Sequence, residues 1–73
     1  MSKTIQTKEY ARFIDRLRKA RLEAGLKQID VAKKVKRPQS YISRIESGEY
    51  RLDILEVKRL AKIYGKSIEY FLK

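Results

Sequence analysis

The chain has 73 residues, with 19 lysines and arginines against 9 aspartates and glutamates, and this formal charge of +10 draws it to a polyanion or an anionic membrane surface. With no cysteine and no histidine it has no thiol nucleophile, imidazole base, disulfide or ordinary zinc site, so metal chemistry and most hydrolytic chemistry drop out. A domain of this length buries only about 60% of the surface its unfolded form exposes, no apolar run approaches the roughly 20 residues of a membrane span, and no secretion signal opens the chain, so the expectation is one cytoplasmic domain stabilised by dimerisation.

Residues 1–6 are polar and without periodicity, which predicts a flexible arm ahead of a single domain over 7–73. Thr7 then caps a first helix whose buried stripe, Tyr10, Phe13, Ile14, Leu17, Arg21 and Ala24, follows the three-and-four spacing of a helix face. Gly25 ends it in the left-handed conformation, with Leu26 folding back as the apolar partner. Arg21 is the odd member of the stripe. A long charged side chain on an inner face either meets an opposite charge or snorkels to solvent.

From Gln28 to Ser47 the apolar positions fit two short helices meeting at a tight turn, the first burying Val31, Ala32 and Val35, the second Ile42 and Ile45. Pro38 suits the first helical position, because its missing N–H would have had no intrahelical partner, and leaves Arg37 as a poor cap. Such a helix-turn-helix lays its second helix in the DNA major groove while the first crosses the backbone. The exposed face of that second helix carries Gln39, Ser40, Ser43 and Arg44. Gln pairs with adenine and Arg with guanine in a bidentate way, each good pair giving roughly 1–3 kcal/mol of discrimination. Between Lys27 and Arg44 the only acid is Asp30, so half the net charge sits on this motif.

After Gly48 comes an exposed loop, Glu49-Tyr50-Arg51, and then a marked helix start. Asp53 and Glu56 form a capping box and Leu52 and Val57 a hydrophobic staple. This helix is expected to bury Ile54 or Leu55, then Val57, Leu60, Ala61 and Tyr64, and to stop at Gly65. Ser67 caps a last short helix carrying Ile68, Phe71 and Leu72. No alternating strand pattern occurs, so the fold class is all-α, a compact domain of five helices.

Several blocks agree in order and distance with one family. Leu17-Arg18-Lys19-Ala20-Arg21, Gly25-Leu26-Lys27-Gln28, Ile42-Ser43-Arg44-Ile45-Glu46-Ser47-Gly48, Arg51-Leu52-Asp53, Leu60-Ala61-Lys62 and Gly65-Lys66-Ser67-Ile68 together resemble the phage repressor and Cro type of helix-turn-helix, the Xre-like family. The resemblance implies a five-helix repressor-like domain that binds duplex DNA. It implies base contacts from Gln39, Ser40 and Arg44, backbone-facing positions at Tyr50 and Arg51, and an ion pair between Arg21 and Glu46. Two positions depart from the pattern. Lys36 stands where the family usually has the turn glycine, at a cost of roughly 1 kcal/mol for a left-handed side chain, and Lys27 stands where a serine or threonine often caps.

Phosphate contacts position the protein without specifying sequence, and they fall to residues around the groove. Gln28 opens the second helix, whose backbone N–H groups favour an anion; Lys27 adds charge there, and Lys33, Lys36 and Arg37 extend the positive potential. Tyr41 has three open uses: stacking on the sugar-phosphate edge, touching a thymine methyl, or packing beside the preceding helix. One reading helix covers only a few base pairs, so a homodimer on a palindromic site is expected. Tyr64, Ile68, Tyr70, Phe71 and Leu72 give the C-terminus more apolar surface than a five-residue helix needs, which places the dimer contact there unless they close the core. Rival readings are an antitoxin-like protein-interaction module with secondary DNA binding, and a membrane-surface peptide built on the basic first helix. An enzyme is the least supported class, since Asp15, Glu23 and Asp30 are surrounded by positive charge. No cofactor, metal or small-molecule ligand is implied, and with no exposed acidic patch to contact polymerase, repression by occlusion is favoured over activation.

Overall fold

The computed structural model describes residues 7–73, and the arm expected over 1–6 lies outside them. Five α-helices follow in order: α1 (Lys8–Glu23), α2 (Gln28–Val35), α3 (Gln39–Ser47), α4 (Ile54–Tyr64) and α5 (Ile68–Leu72), with no strand among the described residues. Thr7 starts α1 by accepting the Tyr10 N–H at 3.0 Å. At α4 the Asp53 and Glu56 side chains and backbone N–H groups exchange two bonds of 2.9 Å, so two otherwise orphaned donors are satisfied. Lys27 has no side-chain oxygen to cap α2, and Asp30 compensates by accepting the Lys27 N–H at 2.8 Å.

One closure recurs at the ends of α1 to α4: the N–H of a left-handed residue and the N–H after it turn back onto the last-turn carbonyls, which satisfies acceptors the helix leaves open. After α1 the donors are Gly25, to Leu22 at 3.0 Å, and Leu26, to Arg21 at 3.1 Å. After α2 they are Lys36, to Lys33 at 3.2 Å, and Arg37, to Ala32 at 2.9 Å. Lys36, at φ 59° and ψ 48°, is the one non-glycine with positive φ among the described residues.

The core lies where all five helices meet. α1 contributes Leu17 and Ala20, α2 Val31 and Ala32, α3 Ile42 and Ile45, α4 Val57, Leu60, Ala61 and Tyr64, and α5 Phe71. Phe13 and Leu52 pack against its edge. Arg16 Nη1 donates to the Tyr70 carbonyl at 3.1 Å, which holds the short α5 on α1, and Lys66, in the loop before α5, pairs with Glu23 at the end of α1 at 2.7 Å.

Four expectations need correction. Pro38 is the cap of α3, extended at φ −64° and ψ 156°, because Arg37 is already committed to closing α2 and leaves Pro38 to make the turn. Ala24 is exposed, since it sits beyond the last turn of α1, while Ala20 is fully buried at the point where α1 crosses the core. Neither Ile54 nor Leu55 is buried: they are 63% and 70% exposed, because Val57, Leu60, Ala61 and Tyr64 set the buried stripe of α4. Ser67 occupies the cap position of α5, but its side chain makes no capping bond; its carbonyl accepts the Tyr70 N–H instead.

Candidate nucleic-acid interface

The left-handed turn at Lys36 and the extended Pro38 redirect the chain between α2 and α3, and the four buried residues Val31, Ala32, Ile42 and Ile45 lock the two helices together. With that side buried, α3 presents Gln39, Ser40, Ser43 and Arg44 outward, all exposed. Their spacing puts them on one stripe two turns long. No hydrogen bond or ion pair among the described residues holds the side chains of Ser40, Ser43 or Arg44.

Gln39 is different, because it ends a chain of contacts that begins in the interior. Arg21 Nε and Nη2 donate to Glu46 Oε2 and Oε1 at 2.7 and 3.0 Å, and Arg21 Nη1 donates to the Leu26 carbonyl at 3.0 Å. The two side chains are 9% and 6% exposed, so this bidentate pair is desolvated and its donors and acceptors are satisfied. The hydrogen bond to Glu46 raises the Arg21 pKa against the opposing effect of burial. Burial, followed by the field of Glu46, raises that of Tyr64. Gln28 Nε2 donates to Glu46 Oε1 at 3.1 Å, and Gln39 Nε2 donates to Gln28 Oε1 at 3.3 Å. The Gln28 side chain is therefore spent inside the protein. Gln39 keeps its carbonyl and one N–H.

On the other flank of α3, Tyr41 is half-buried and its hydroxyl donates to Glu56 Oε2 at 2.8 Å; the Tyr50 hydroxyl donates to the same oxygen at 3.1 Å. The two rings lie 5.5 Å apart, and the Arg37 guanidinium sits 4.7 Å over Tyr41. Tyr41 packs within the domain, with its hydroxyl reaching α4 and not α2. Burial and then the bond to Glu56 push the Tyr41 pKa up to about 12. Burial works to raise Glu56, but the Asp53 N–H and the two hydroxyls outweigh it and hold the carboxyl below its usual value. The same hydrogen bond raises Tyr50. Sequence reasoning found Glu56 only as a helix cap; its tie to Tyr41 spans fifteen positions and leaves no local signal.

Lys27, Lys33, Lys36 and Arg37 are exposed around this face. Arg51 is exposed as well, with its guanidinium 4.2 Å over Tyr10 of α1, whose hydroxyl accepts the Leu52 N–H at 3.4 Å. The C-terminal group is divided. Tyr64 and Phe71 are buried in the core, with Phe71 only 1% exposed and edge-on to Phe13 at 6.4 Å, so neither side chain is available to a second copy. Ile68 and Tyr70 are half-buried against the core, and Leu72 is 70% exposed.

Among the described residues no cluster of carboxylates is placed to hold a metal, and no helix is long and apolar enough to cross a membrane. An all-helical domain with an outward polar helix, set by a tight turn and ringed by cations, defines a DNA-binding class. A family model described as helix-turn-helix matches residues 17–71, and the chain belongs to this family, in its phage repressor and Cro, Xre-like form. It is a family of DNA-binding regulators. No curated protein and no solved structure matches the chain.

Proposed function

We propose that the protein is a sequence-specific duplex DNA-binding repressor that acts in the cytoplasm as a homodimer on a palindromic operator. The observation that carries this reading is the outward stripe Gln39, Ser40, Ser43 and Arg44, with Gln39 already oriented by Gln28. One N–H of Gln39 Nε2 goes to Gln28; the second N–H and the carbonyl match the N7 and N6 groups of adenine. Arg44 matches guanine. Lys27, Lys36, Arg37 and Arg51 supply positive potential and donors to the flanking phosphates, as does the N-terminal end of α2 at Gln28, while the Tyr50 hydroxyl is already given to Glu56.

The dimer reading rests on size. A single α3 helix reaches only a few base pairs, so useful specificity calls for two copies on half-sites about one helical turn apart. With Tyr64 and Phe71 inside the core, the C-terminal seam reduces to Ile68, Tyr70 and Leu72. Selection of bound duplexes from a random pool tests the whole reading. A recovered palindrome with half-sites one turn apart is the expected result, and a protein that retains no duplex above background rules it out.

A further inference from the structure

We propose that Glu56 is a positioning residue for DNA reading: by holding the hydroxyls of Tyr41 and Tyr50 it sets the attitude of α3 from the flank opposite Gln39. The inference rests on the DNA-reading role proposed for α3, and its geometry is specific to that helix. At 3.6 residues per turn, side chains advance by about 100° per residue, so with Gln39 at zero, Ser43, Ser40 and Arg44 fall at roughly 40°, 100° and 140° and Tyr41 at roughly 200°. The readers occupy the arc between two moorings. On one side Glu46 restrains Gln39 through Gln28, and on the other Glu56 restrains Tyr41 directly.

A nine-residue helix needs such restraint. Isolated helices of this length are marginal, α3 has no side-chain cap at Pro38, and the turn before it carries a lysine in the left-handed conformation. Glu56 is well suited to the task because its two oxygens divide the work. Oε1 accepts the Asp53 N–H and belongs to the start of α4, while Oε2 accepts both hydroxyls. The tyrosines thereby join α3 and the following loop to a fixed point on α4. Their hydroxyls are donors already in use, so these rings serve alignment and not phosphate binding.

The division between the two oxygens supplies the test. In Glu56→Gln the side-chain carbonyl still accepts from Asp53, as a capping box permits, but the second atom becomes an amide nitrogen that can only donate to the hydroxyl oxygens, so the two charge-assisted bonds give way to weaker neutral ones of reversed direction. The variant is expected to remain cooperatively folded and to bind a duplex selected by the wild type about tenfold more weakly, a change equivalent to one charge-assisted hydrogen bond. Binding to random duplex should be unchanged. Tyr41→Phe/Tyr50→Phe, which leaves the cap untouched, should reproduce this loss, and adding Glu56→Gln to it should produce no further loss. Wild-type affinity for the selected duplex in the phenylalanine pair overturns the proposal, as does a proportional fall on selected and random DNA. Should Glu56→Gln melt early, the phenylalanine pair decides. Should the wild type select no duplex, the DNA-reading function fails by itself, and amide NMR shifts from Ser40 to Arg44 then judge the alignment: displacement in Glu56→Gln supports it, and unmoved resonances overturn it.

Discussion

Arg21 and Glu46 meet through two hydrogen bonds in a site that solvent scarcely reaches, and this contact joins the end of α3 to α1. Replacing either partner by an apolar residue of similar volume, the same substitutions as in the double variant, strands the other as an unpaired buried charge. A loss of about 3–5 kcal/mol in unfolding free energy is expected for each single variant, against a much smaller loss for a double replacement by apolar residues of similar volume. Urea denaturation of the four proteins in the cycle measures it. Strictly additive losses would show that the two side chains do not act on each other.

Arg44 and Arg51 are expected to separate by the kind of DNA contact they make. Arg44→Ala should weaken the selected duplex by about 1–3 kcal/mol and relax preference at one position per half-site. Arg51→Ala should weaken every sequence alike and make the salt dependence shallower by about 1 unit. Titrations of both variants on selected and random duplexes at several salt concentrations check this, and an equal effect of Arg44→Ala on the two duplexes removes it from the base readers.

The left-handed Lys36 predicts a gain on substitution by glycine. At φ 59° a side chain costs roughly 1 kcal/mol that glycine does not incur, so Lys36→Gly should stabilise by up to about that amount and raise Tm by several degrees. Lys36→Ile should move the other way. Thermal melts that rank isoleucine above glycine would mean that this turn is not strained.

Assembly is read from Phe71 and Leu72 together. Phe71→Asp should abolish cooperative folding because the ring is enclosed, whereas Leu72→Asp should leave helicity intact and weaken self-association. Circular dichroism and sedimentation make the comparison. A Leu72→Asp protein that stays dimeric transfers the seam to the exposed Ile54 and Leu55 at the start of α4, where the same substitution is then decisive.

Acid stability should follow Glu56. Because its carboxyl titrates below the unfolded value of 4.5, its contribution is complete above that pH and disappears as the pH falls through the lower folded value. Tyr41 acts at the opposite end, contributing fully below pH 10 and losing that contribution as the pH rises through about 12. Glu56→Gln should therefore flatten the acid limb of stability below pH 4.5. An acid limb of unchanged steepness in that variant would assign it to other carboxylates.

Where the sequence was legible, the signal was local. Three glycines in register with apolar stripes mark the ends of α1, α3 and α4, and the family spacing alone assigns the same backbone role to Lys36. Arg21 is conspicuous because it interrupts an apolar stripe. Pro38 was misplaced because proline suits both the cap and the first helical position, and only the commitment of Arg37 to the preceding helix decides between them. Ile54 and Leu55 are adjacent apolar residues, and helix periodicity does not say whether either faces inward. The C-terminal aromatics posed a similar problem, since apolar density serves a core or a seam equally well until Phe13 is seen against Phe71. The Glu56 cluster lay beyond reach because its parts come from α3, a loop and α4.

Gln28 answers to two neighbours at once, giving its amide N–H to Glu46 and its carbonyl to Gln39. On the proposed DNA-reading role, position 39 of α3 is thereby coupled to the protein interior. A lineage that replaces Gln39 to recognise another base leaves the Gln28 carbonyl without its donor, and one that replaces Gln28 withdraws a donor from the carboxylate behind it. Retargeting at position 39 is therefore expected to require paired substitutions, whereas positions 40, 43 and 44, whose side chains no hydrogen bond or ion pair holds among the described residues, are expected to change singly.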